Sequence, residues 1–308
     1  MTDAPAHARP DRVALGAALI IGAVFLMSLQ DAVIKLASTG MPLWQIYVLR
    51  GVLAIPALAV VAAVRGDRAV SWRRALRPWT TLRAVLLVLM YVFMYAAVPV
   101  LNLSTIAAAF YTGPLFITLL SAVLIGEPVG RRRWLAVLVG FAGVLCILRP
   151  GLEGFQAAAL LPVVSGLCYA LAAIATRSRC QGEAPINLAL ALNLALLATG
   201  GLGSLGIALW QPSAIESAGY PFLLGGWAGM GGGEWGLAGV LAALMVGIGI
   251  GLAAAYQVAP PVVVATFDYS YLVFATVWSL TLFDEAPDGP TIVGMCLIAG
   301  AGLATVRR

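Results

Sequence analysis

The most constraining feature of the sequence is the segment from Leu101 to Arg149, in which a short charged turn separates two long apolar runs. The turn, at residues 126–133, reads Gly-Glu-Pro-Val-Gly-Arg-Arg-Arg. A helix needs roughly 20 apolar residues to cross about 30 Å of hydrocarbon, and each run approaches that length. Neither run carries the polar stripe of a surface helix in a soluble protein. The segment therefore predicts two membrane-spanning helices joined by a tight turn.

The same pattern recurs along the chain, and the composition agrees with it. The sequence is 62% hydrophobic and 10% charged, with a mean hydropathy of +0.99, which is typical of a membrane protein. Only helices and closed barrels satisfy every backbone group in lipid, and these runs are too continuous for the alternating strands of a barrel. We therefore predict an all-α integral membrane protein.

We predict ten transmembrane helices, with a polar cytoplasmic tail at residues 1–12. The first span is too long for a cleaved signal peptide, and a Gly-rich loop at 211–235 separates the seventh span from the eighth. The predicted spans are 13–37, 43–64, 79–97, 103–125, 134–148, 156–176, 186–210, 236–256, 262–283 and 290–306.

The distribution of basic residues predicts the orientation of these spans. With a cytoplasmic N-terminus, fifteen of the eighteen Lys and Arg residues fall in inside loops and chain ends, as the positive-inside bias requires. Both termini are then cytoplasmic, and the net charge of +5 belongs to these loops and does not indicate a nucleic-acid partner.

An internal repeat divides the chain into a half at 13–150 and a half at 151–308. Glu127 matches Glu285 and Arg149 matches Arg307, both at an offset of 158 residues. Tyr-Ala-Ala-Val-Pro at 95–99 also matches Tyr-Gln-Val-Ala-Pro at 256–260. Because each half has five spans, an odd number, the halves have opposite orientations. A five-plus-five inverted repeat is typical of transporters that bind substrate near the membrane midplane.

Three charged residues lie in the outer parts of the first two predicted spans: Asp31, Lys35 and Arg50. A charge inside a bilayer usually faces a partner or a wet cavity. One interpretation is a structural ion pair of Asp31 with Lys35 or Arg50. A second is direct contact with substrate or a coupling ion, and a third places the Lys35 ammonium among lipid headgroups.

Asp268 is an isolated acid in the ninth span, within the sequence Phe-Asp-Tyr-Ser-Tyr. Burial favours the protonated form of a carboxylate, so that it can exchange a proton near neutral pH. We expect Asp268 to bind a substrate ammonium or a coupling proton. The alternative is a hydrogen bond to a neighbouring tyrosine.

Amide and aromatic side chains are further candidates for the wall of a substrate site. Tyrosines near span ends more often anchor a protein at the membrane interface, but Tyr95, Tyr111 and Tyr169 lie within their spans. The candidates for substrate binding or coupling, added to the four charged residues, are Gln30, Gln45, Tyr95, Tyr111 and Tyr169.

Other chemistries lack the residues they need. The one histidine, His7, lies in the tail, and the four cysteines lie in or beside spans without a C-x-x-C spacing. We therefore expect no catalytic residues, metal site or cofactor. The sequence has no Walker A motif, which argues against ATP-driven transport. Small residues such as Gly140 and Gly143 suit close helix packing, either inside the chain or at a homodimer face.

Several segments resemble the drug/metabolite transporter superfamily, in its EamA-like ten-helix branch. They are Asp-Ala-Val-Ile-Lys at 31–35, Ala-Phe-Tyr-Thr-Gly-Pro-Leu at 109–115, Ile-Gly-Glu-Pro at 125–128, Gly-Phe-Ala-Gly at 140–143 and Phe-Asp-Glu at 283–285. The resemblance covers about 13–308. The sequence departs from it in its long Gly-rich loop and in placing Asp268 where the first half has Phe110 or Tyr111.

The resemblance implies a secondary transporter in the bacterial inner membrane that works by alternating access. We expect it to move an amino acid or an amino-acid-derived compound, in the direction of export. Uptake of a larger metabolite, such as S-adenosylmethionine or riboflavin, is the alternative within this class. A membrane enzyme, or a receptor or scaffold that transports nothing, is the alternative in another class. An inverted repeat with buried charges favours the transporter.

Overall fold

The structure is a computed structural model, which describes residues 12–64, 71–126, 130–148 and 157–306. In these ranges the chain forms helices and no strands, which confirms the predicted all-α fold. The first seven are α1 Val13–Ala37, α2 Leu43–Val64, α3 Trp72–Ala75, α4 Pro78–Ala97, α5 Leu103–Phe110, α6 Gly113–Leu120 and α7 Arg131–Leu148. The others are α8 Leu160–Arg179, α9 Pro185–Trp210, α10 Ala214–Gly219, α11 Pro221–Leu224, α12 Gly232–Val258, α13 Pro261–Asp268, α14 Ser270–Phe283 and α15 Gly289–Val306.

Eight helical segments within the described ranges are long and apolar enough to cross a membrane. They agree with eight of the ten predicted spans. The other two predicted spans, the fifth and the tenth, coincide with α7 and α15, each 18 residues long. Ten membrane passages remain a prediction. The predicted tail, the turn residue Glu127 and the repeat positions Arg149 and Arg307 lie outside the described residues.

The fourth and ninth predicted spans are both interrupted near their middle. α5 ends at Phe110 and α6 begins at Gly113, while α13 ends at Asp268 and α14 begins at Ser270. The first break packs closely against α8, because a Cβ on Gly166 would lie 2.6 Å from the Phe110 carbonyl oxygen. Both breaks occupy equivalent places in the repeat, since Tyr111 and Tyr269 are 158 residues apart.

The packing of the helices follows a two-fold pattern. α1 packs against α12 and α14, and α8 packs in the same way against α4 and α6. α2 packs against α9, and α7 packs against α15. The repeat matches α1, α2, α4, α6 and α7 to α8, α9, α12, α14 and α15, in that order. Exchanging the two halves therefore turns the two contacts of α1 into the two contacts of α8, and it leaves the α2–α9 and α7–α15 contacts unchanged. The division at residues 150 and 151 itself remains a prediction.

The segment predicted as a Gly-rich loop at 211–235 is partly helical. It contains α10 and α11, and α12 begins at Gly232, four residues before the predicted start of the eighth span. The Glu234 carboxylate accepts a hydrogen bond from the Gly231 N–H at 2.8 Å, which supports this earlier start. The segment rests on the ends of α2 and α9, where the Trp44 indole N–H donates to the Leu223 carbonyl at 2.8 Å. We call residues 211–231 the cap.

Candidate functional site

Most of the tyrosines meet at the centre of the helix bundle. Eight of the nine in the sequence are buried, and the ninth, Tyr220, is exposed in the cap. Their rings form two contacting groups. The first ring group is Tyr47, Tyr91 and Tyr95. The second ring group is Phe110, Tyr111, Tyr169, Tyr256, Tyr269 and Tyr271. Since tyrosine in a span more often lies at the membrane interface, this central cluster is a candidate binding site.

Asp31 joins the two ring groups. Its Oδ1 accepts a hydrogen bond from the Tyr95 hydroxyl at 2.8 Å, and its Oδ2 accepts one from the Tyr271 hydroxyl at 2.6 Å. Both oxygens are thus occupied by tyrosines of different spans. The structure does not form the predicted ion pairs of Asp31, because neither Lys35 nor Arg50 is within salt-bridge distance of it in the described contacts, although the Arg50 charge is near enough to act on the carboxylate. Asp31 instead ties α1 to α4 and α14.

Arg50 is the unusual member of the first ring group. Its guanidinium carbon lies 5.3 Å from the ring centroids of both Tyr47 and Tyr91, within range of cation–π attraction. The side chain is fully buried, and Nε, Nη1 and Nη2 have no hydrogen-bond partner among the described residues. A buried charge without a partner is costly. In the described contacts Arg50 therefore lies against two tyrosine faces and donates no hydrogen bond.

Asp268 occupies the second ring group at the break between α13 and α14. Its Oδ1 accepts a weak hydrogen bond from the Tyr111 hydroxyl at 3.3 Å, while Oδ2 has no partner among the described residues. The Tyr256 hydroxyl donates to the Tyr169 hydroxyl at 3.2 Å beside it. The predicted Tyr111 and Tyr169 thus lie with Asp268 in one buried group of tyrosines.

Lys35 lies apart from the ring groups, at one end of the bundle. Its ammonium binds both carboxylate oxygens of Glu285 at 2.6 and 2.7 Å, and it lies 4.7 Å from the centroid of the Phe283 ring. Lys35 does not pair with Asp31, although the two lie one helical turn apart on α1, because its ammonium is bound to Glu285. We call this side of the bundle the Lys35 end.

Gln45 also lies at the Lys35 end and is occupied by the cap. Its Oε1 accepts the Ala228 N–H at 2.8 Å, and its Nε2 donates to the Ala228 carbonyl at 3.0 Å. Gln30, in contrast, belongs to the first ring group, since its Nε2 donates to the Tyr95 hydroxyl at 3.0 Å. Of the two predicted amides, the structure therefore brings only Gln30 to the cluster.

The opposite end of the bundle is closed by a separate set of polar contacts. Glu183 pairs with Arg77, and the Gln257 amide donates to the carbonyls of Cys180 and Glu183 at 2.8 and 2.7 Å. We call this the Glu183 end. With contacts at both ends and a buried centre, the structure describes a closed arrangement of the helices.

Tyr47 and Tyr271 also belong to the cluster, although neither is among the residues predicted from the sequence. Each has a signal that could have identified it. Tyr47 precedes Arg50 by three residues and so shares its helix face. Tyr271 lies near the middle of the ninth span, where a tyrosine is not needed as an interface anchor.

Known proteins similar to this chain are transporters. Residues 14–149 match the EamA-like transporter family. A riboflavin transporter of Rhizobium johnstonii is 30% identical over 97% of this chain and 93% of its own length. The pseudopaline exporter CntI of Pseudomonas aeruginosa is 26% identical over 96% of this chain and 98% of its own.

A solved crystal structure shares the fold. It superposes with a TM-score of 0.65 at 20% sequence identity, over 94% of this chain and 96% of the other. At that identity the likeness concerns the fold alone. It supports the arrangement of the helices around the tyrosine cluster.

Proposed function

Because the chain belongs to the EamA-like transporter family of the drug/metabolite transporter superfamily, we propose that it is a secondary transporter for riboflavin or a closely related flavin. The observation that supports this choice of substrate is the buried tyrosine cluster with Arg50, whose nitrogens have no hydrogen-bond partner among the described residues. Planar rings stack favourably on tyrosines, and a guanidinium binds ring carbonyls. The similarity to the riboflavin transporter of Rhizobium johnstonii supports the same class.

The transport mechanism we propose is alternating access between two halves, 13–150 and 151–308. The two-fold packing pattern supports it, since an inverted repeat of this kind has two related conformations. The Lys35–Glu285 pair joins the halves at one end, and the Arg77–Glu183 pair joins them at the other. Opening one pair while the other persists would expose the cluster to one side of the membrane. We place the Lys35 end outside and both termini inside, in the bacterial cytoplasmic membrane, from the charge bias.

Asp268 is the residue we propose for coupling to protons. It is fully buried, and its free Oδ2 lies in a ring group that is contiguous with the Asp31 site through the stacked pair Tyr111–Tyr271, 5.1 Å apart. The Asp268→Asn variant should keep riboflavin exchange between two pools but lose accumulation driven by a pH gradient. An unchanged response to the gradient in Asp268→Asn would remove Asp268 from this role.

Export of an amino-acid-like compound is the second candidate function. It is favoured by the full-length similarity to the exporter CntI and by the opposite charges of Arg50 and Asp268, which match a zwitterion. The two candidates predict different cargo. Riboflavin should compete with the transported solute in the first case and not in the second.

The first test of the function uses a bacterial strain that can neither make nor import riboflavin. Expression of the parent chain should restore growth at low micromolar riboflavin, while Arg50→Met at equal membrane abundance should not. The matched control is Arg73→Met, which removes an exposed arginine of α3 that belongs neither to the cluster nor to the two ion pairs. Growth that never exceeds that of the empty-vector strain would contradict riboflavin uptake and favour the export candidate.

A further inference from the structure

Three buried polar groups around the first ring group lack a hydrogen-bond partner among the described residues. They are the three nitrogens of Arg50, the Oε1 of Gln30 and the hydroxyl of Tyr47. Buried polar groups in proteins are nearly always hydrogen-bonded, so each such exception calls for an explanation. Here all three exceptions lie in the first ring group. Arg50 contacts Tyr47 and Tyr91, and Gln30 binds Tyr95, which stacks on Tyr91 at 5.5 Å.

The chain's own carboxylate does not satisfy this group. Asp31 follows Gln30 directly, yet both of its oxygens accept tyrosine hydroxyls. The tyrosine faces stabilise the charge of Arg50 but accept none of its N–H groups in the described contacts. The unpaired set therefore offers several donors from Arg50, one acceptor from Gln30, and a hydroxyl of Tyr47 that can do either.

We propose that Arg50, Gln30 and Tyr47 recognise a cyclic imide, the carbonyl–NH–carbonyl edge of a pyrimidine-dione ring. This inference rests on the proposed function, because the flavin ring of riboflavin carries such an edge. The imide carbonyls accept from Arg50 and from the Tyr47 hydroxyl, and the imide N–H donates to Gln30 Oε1. The remainder of the flat ring stacks on the tyrosines once the closed cluster opens to admit it.

A simple anion or a simple cation leaves part of this set unpaired, and a zwitterion would pair it only by bringing two more charges out of water. A carboxylate or phosphate supplies acceptors for Arg50 but no donor for Gln30 Oε1. An ammonium supplies a donor for Gln30 but meets the positive charge of Arg50. An imide satisfies both side chains with one rigid, neutral edge, which also avoids transferring a second ion out of water.

The test compares riboflavin with 3-methylriboflavin, whose methyl group replaces the imide hydrogen. Binding to the purified full chain is followed by quenching of flavin fluorescence. The parent should bind 3-methylriboflavin about 10- to 100-fold more weakly, because the methyl group removes the donor and leaves a buried amide oxygen unpaired. In Gln30→Met this preference should fall to less than about threefold. The matched control is Gln45→Met, in which the preference should remain.

Arg50→Met provides an independent readout. It should abolish riboflavin binding while the melting temperature of the ligand-free protein changes little, since the loss of two cation–π contacts is offset by the removal of a buried charge that donates no hydrogen bond among the described residues. A fall in the melting temperature would indicate a structural role and contradict the inference.

The outcomes separate this inference from the proposed function. Equal binding of riboflavin and 3-methylriboflavin by the parent overturns imide recognition, while riboflavin remains the proposed substrate. If the parent does not bind riboflavin, the proposal that riboflavin is the substrate is wrong. Imide recognition is then tested by comparing lumichrome with 3-methyllumichrome, and it is wrong if the two bind equally or if lumichrome does not bind.

Discussion

The ion pair between Lys35 and Glu285 is expected to hold the Lys35 end of the bundle closed. Both carboxylate oxygens of Glu285 lie within 2.7 Å of the Lys35 ammonium, and the pair links α1 to the chain segment between α14 and α15. Glu285→Gln keeps the size of the side chain and removes its charge. The variant should therefore shift the protein toward conformations that are open at this end.

The exposure of the pair sets the size of this shift. The side chains of Lys35 and Glu285 are 14% and 25% exposed. Exposed pairs contribute about 0.2–1 kcal/mol, whereas breaking a buried pair costs about 3–5 kcal/mol. A mostly covered pair at the protein surface lies between these limits, at about 1–2 kcal/mol, which corresponds to about 5- to 30-fold in an equilibrium constant.

Opening of the Lys35 end can be measured by the labelling rate of a cysteine that is buried behind the Lys35–Glu285 pair. Ala275 is fully buried on α14, one helical turn from Tyr271 toward Glu285. In a chain without its native cysteines, Ala275→Cys should react slowly with a membrane-impermeant maleimide. Adding Glu285→Gln should accelerate the reaction by about 5- to 30-fold.

Two further variants make the result specific. Glu216→Gln makes the same chemical change at an exposed residue of the cap and should leave the labelling rate unchanged. Exchanging the two charges, Lys35→Glu with Glu285→Lys, should restore slow labelling. If Glu285→Gln labels at the parent rate, or the exchanged pair labels as fast as the single variant, the ion pair does not control this end.

Three other predictions concern the cap and the helix packing. Gln45→Met should release the cap, so that hydrogen exchange in its backbone rises about 5- to 30-fold through the loss of two buried hydrogen bonds of about 1 kcal/mol each. Gly200→Ala should lower the melting temperature, because its Cβ would lie 2.8 Å from α2 backbone, whereas Gly201→Ala, with open space around it, should not. The Ser213 hydroxyl and backbone N–H lower the pKa of Glu216, so the N-cap of α10 should persist until the pH falls through that lowered pKa, and Ser213→Ala should raise the pKa in an NMR titration.

Hydropathy sufficed to predict the eight long apolar helices of the described ranges, because the lipid environment requires continuous apolar runs, but it did not predict the short helices α3, α10 and α11. The starts of α5 and α13, Leu103 and Pro261, are 158 residues apart, and so are the starts of α7 and α15, Arg131 and Gly289. This is the offset of the sequence repeat. The break at Tyr111 lies beside Gly113 and Pro114, and Pro114 has no N–H to bond the Phe110 carbonyl. The break at Tyr269 has no proline or glycine beside it, and the local sequence did not predict it.

The partners of the charged residues could be predicted only in part. Depth in the membrane correctly suggested that Asp31 and Arg50 lie in one region, but depth does not define which way each side chain faces. Asp31 binds Tyr95 and Tyr271, and Tyr271 lies 240 residues away in the sequence. Long-range pairs of this kind follow from tertiary packing.

Counterflow of riboflavin in proteoliposomes tests the central claim most directly. Vesicles that contain the purified chain and are loaded with unlabelled riboflavin should transiently concentrate radiolabelled riboflavin from the medium. Vesicles with Arg50→Met should not. Equal uptake by loaded protein vesicles and by protein-free vesicles would contradict the claim that this chain transports riboflavin through the tyrosine cluster.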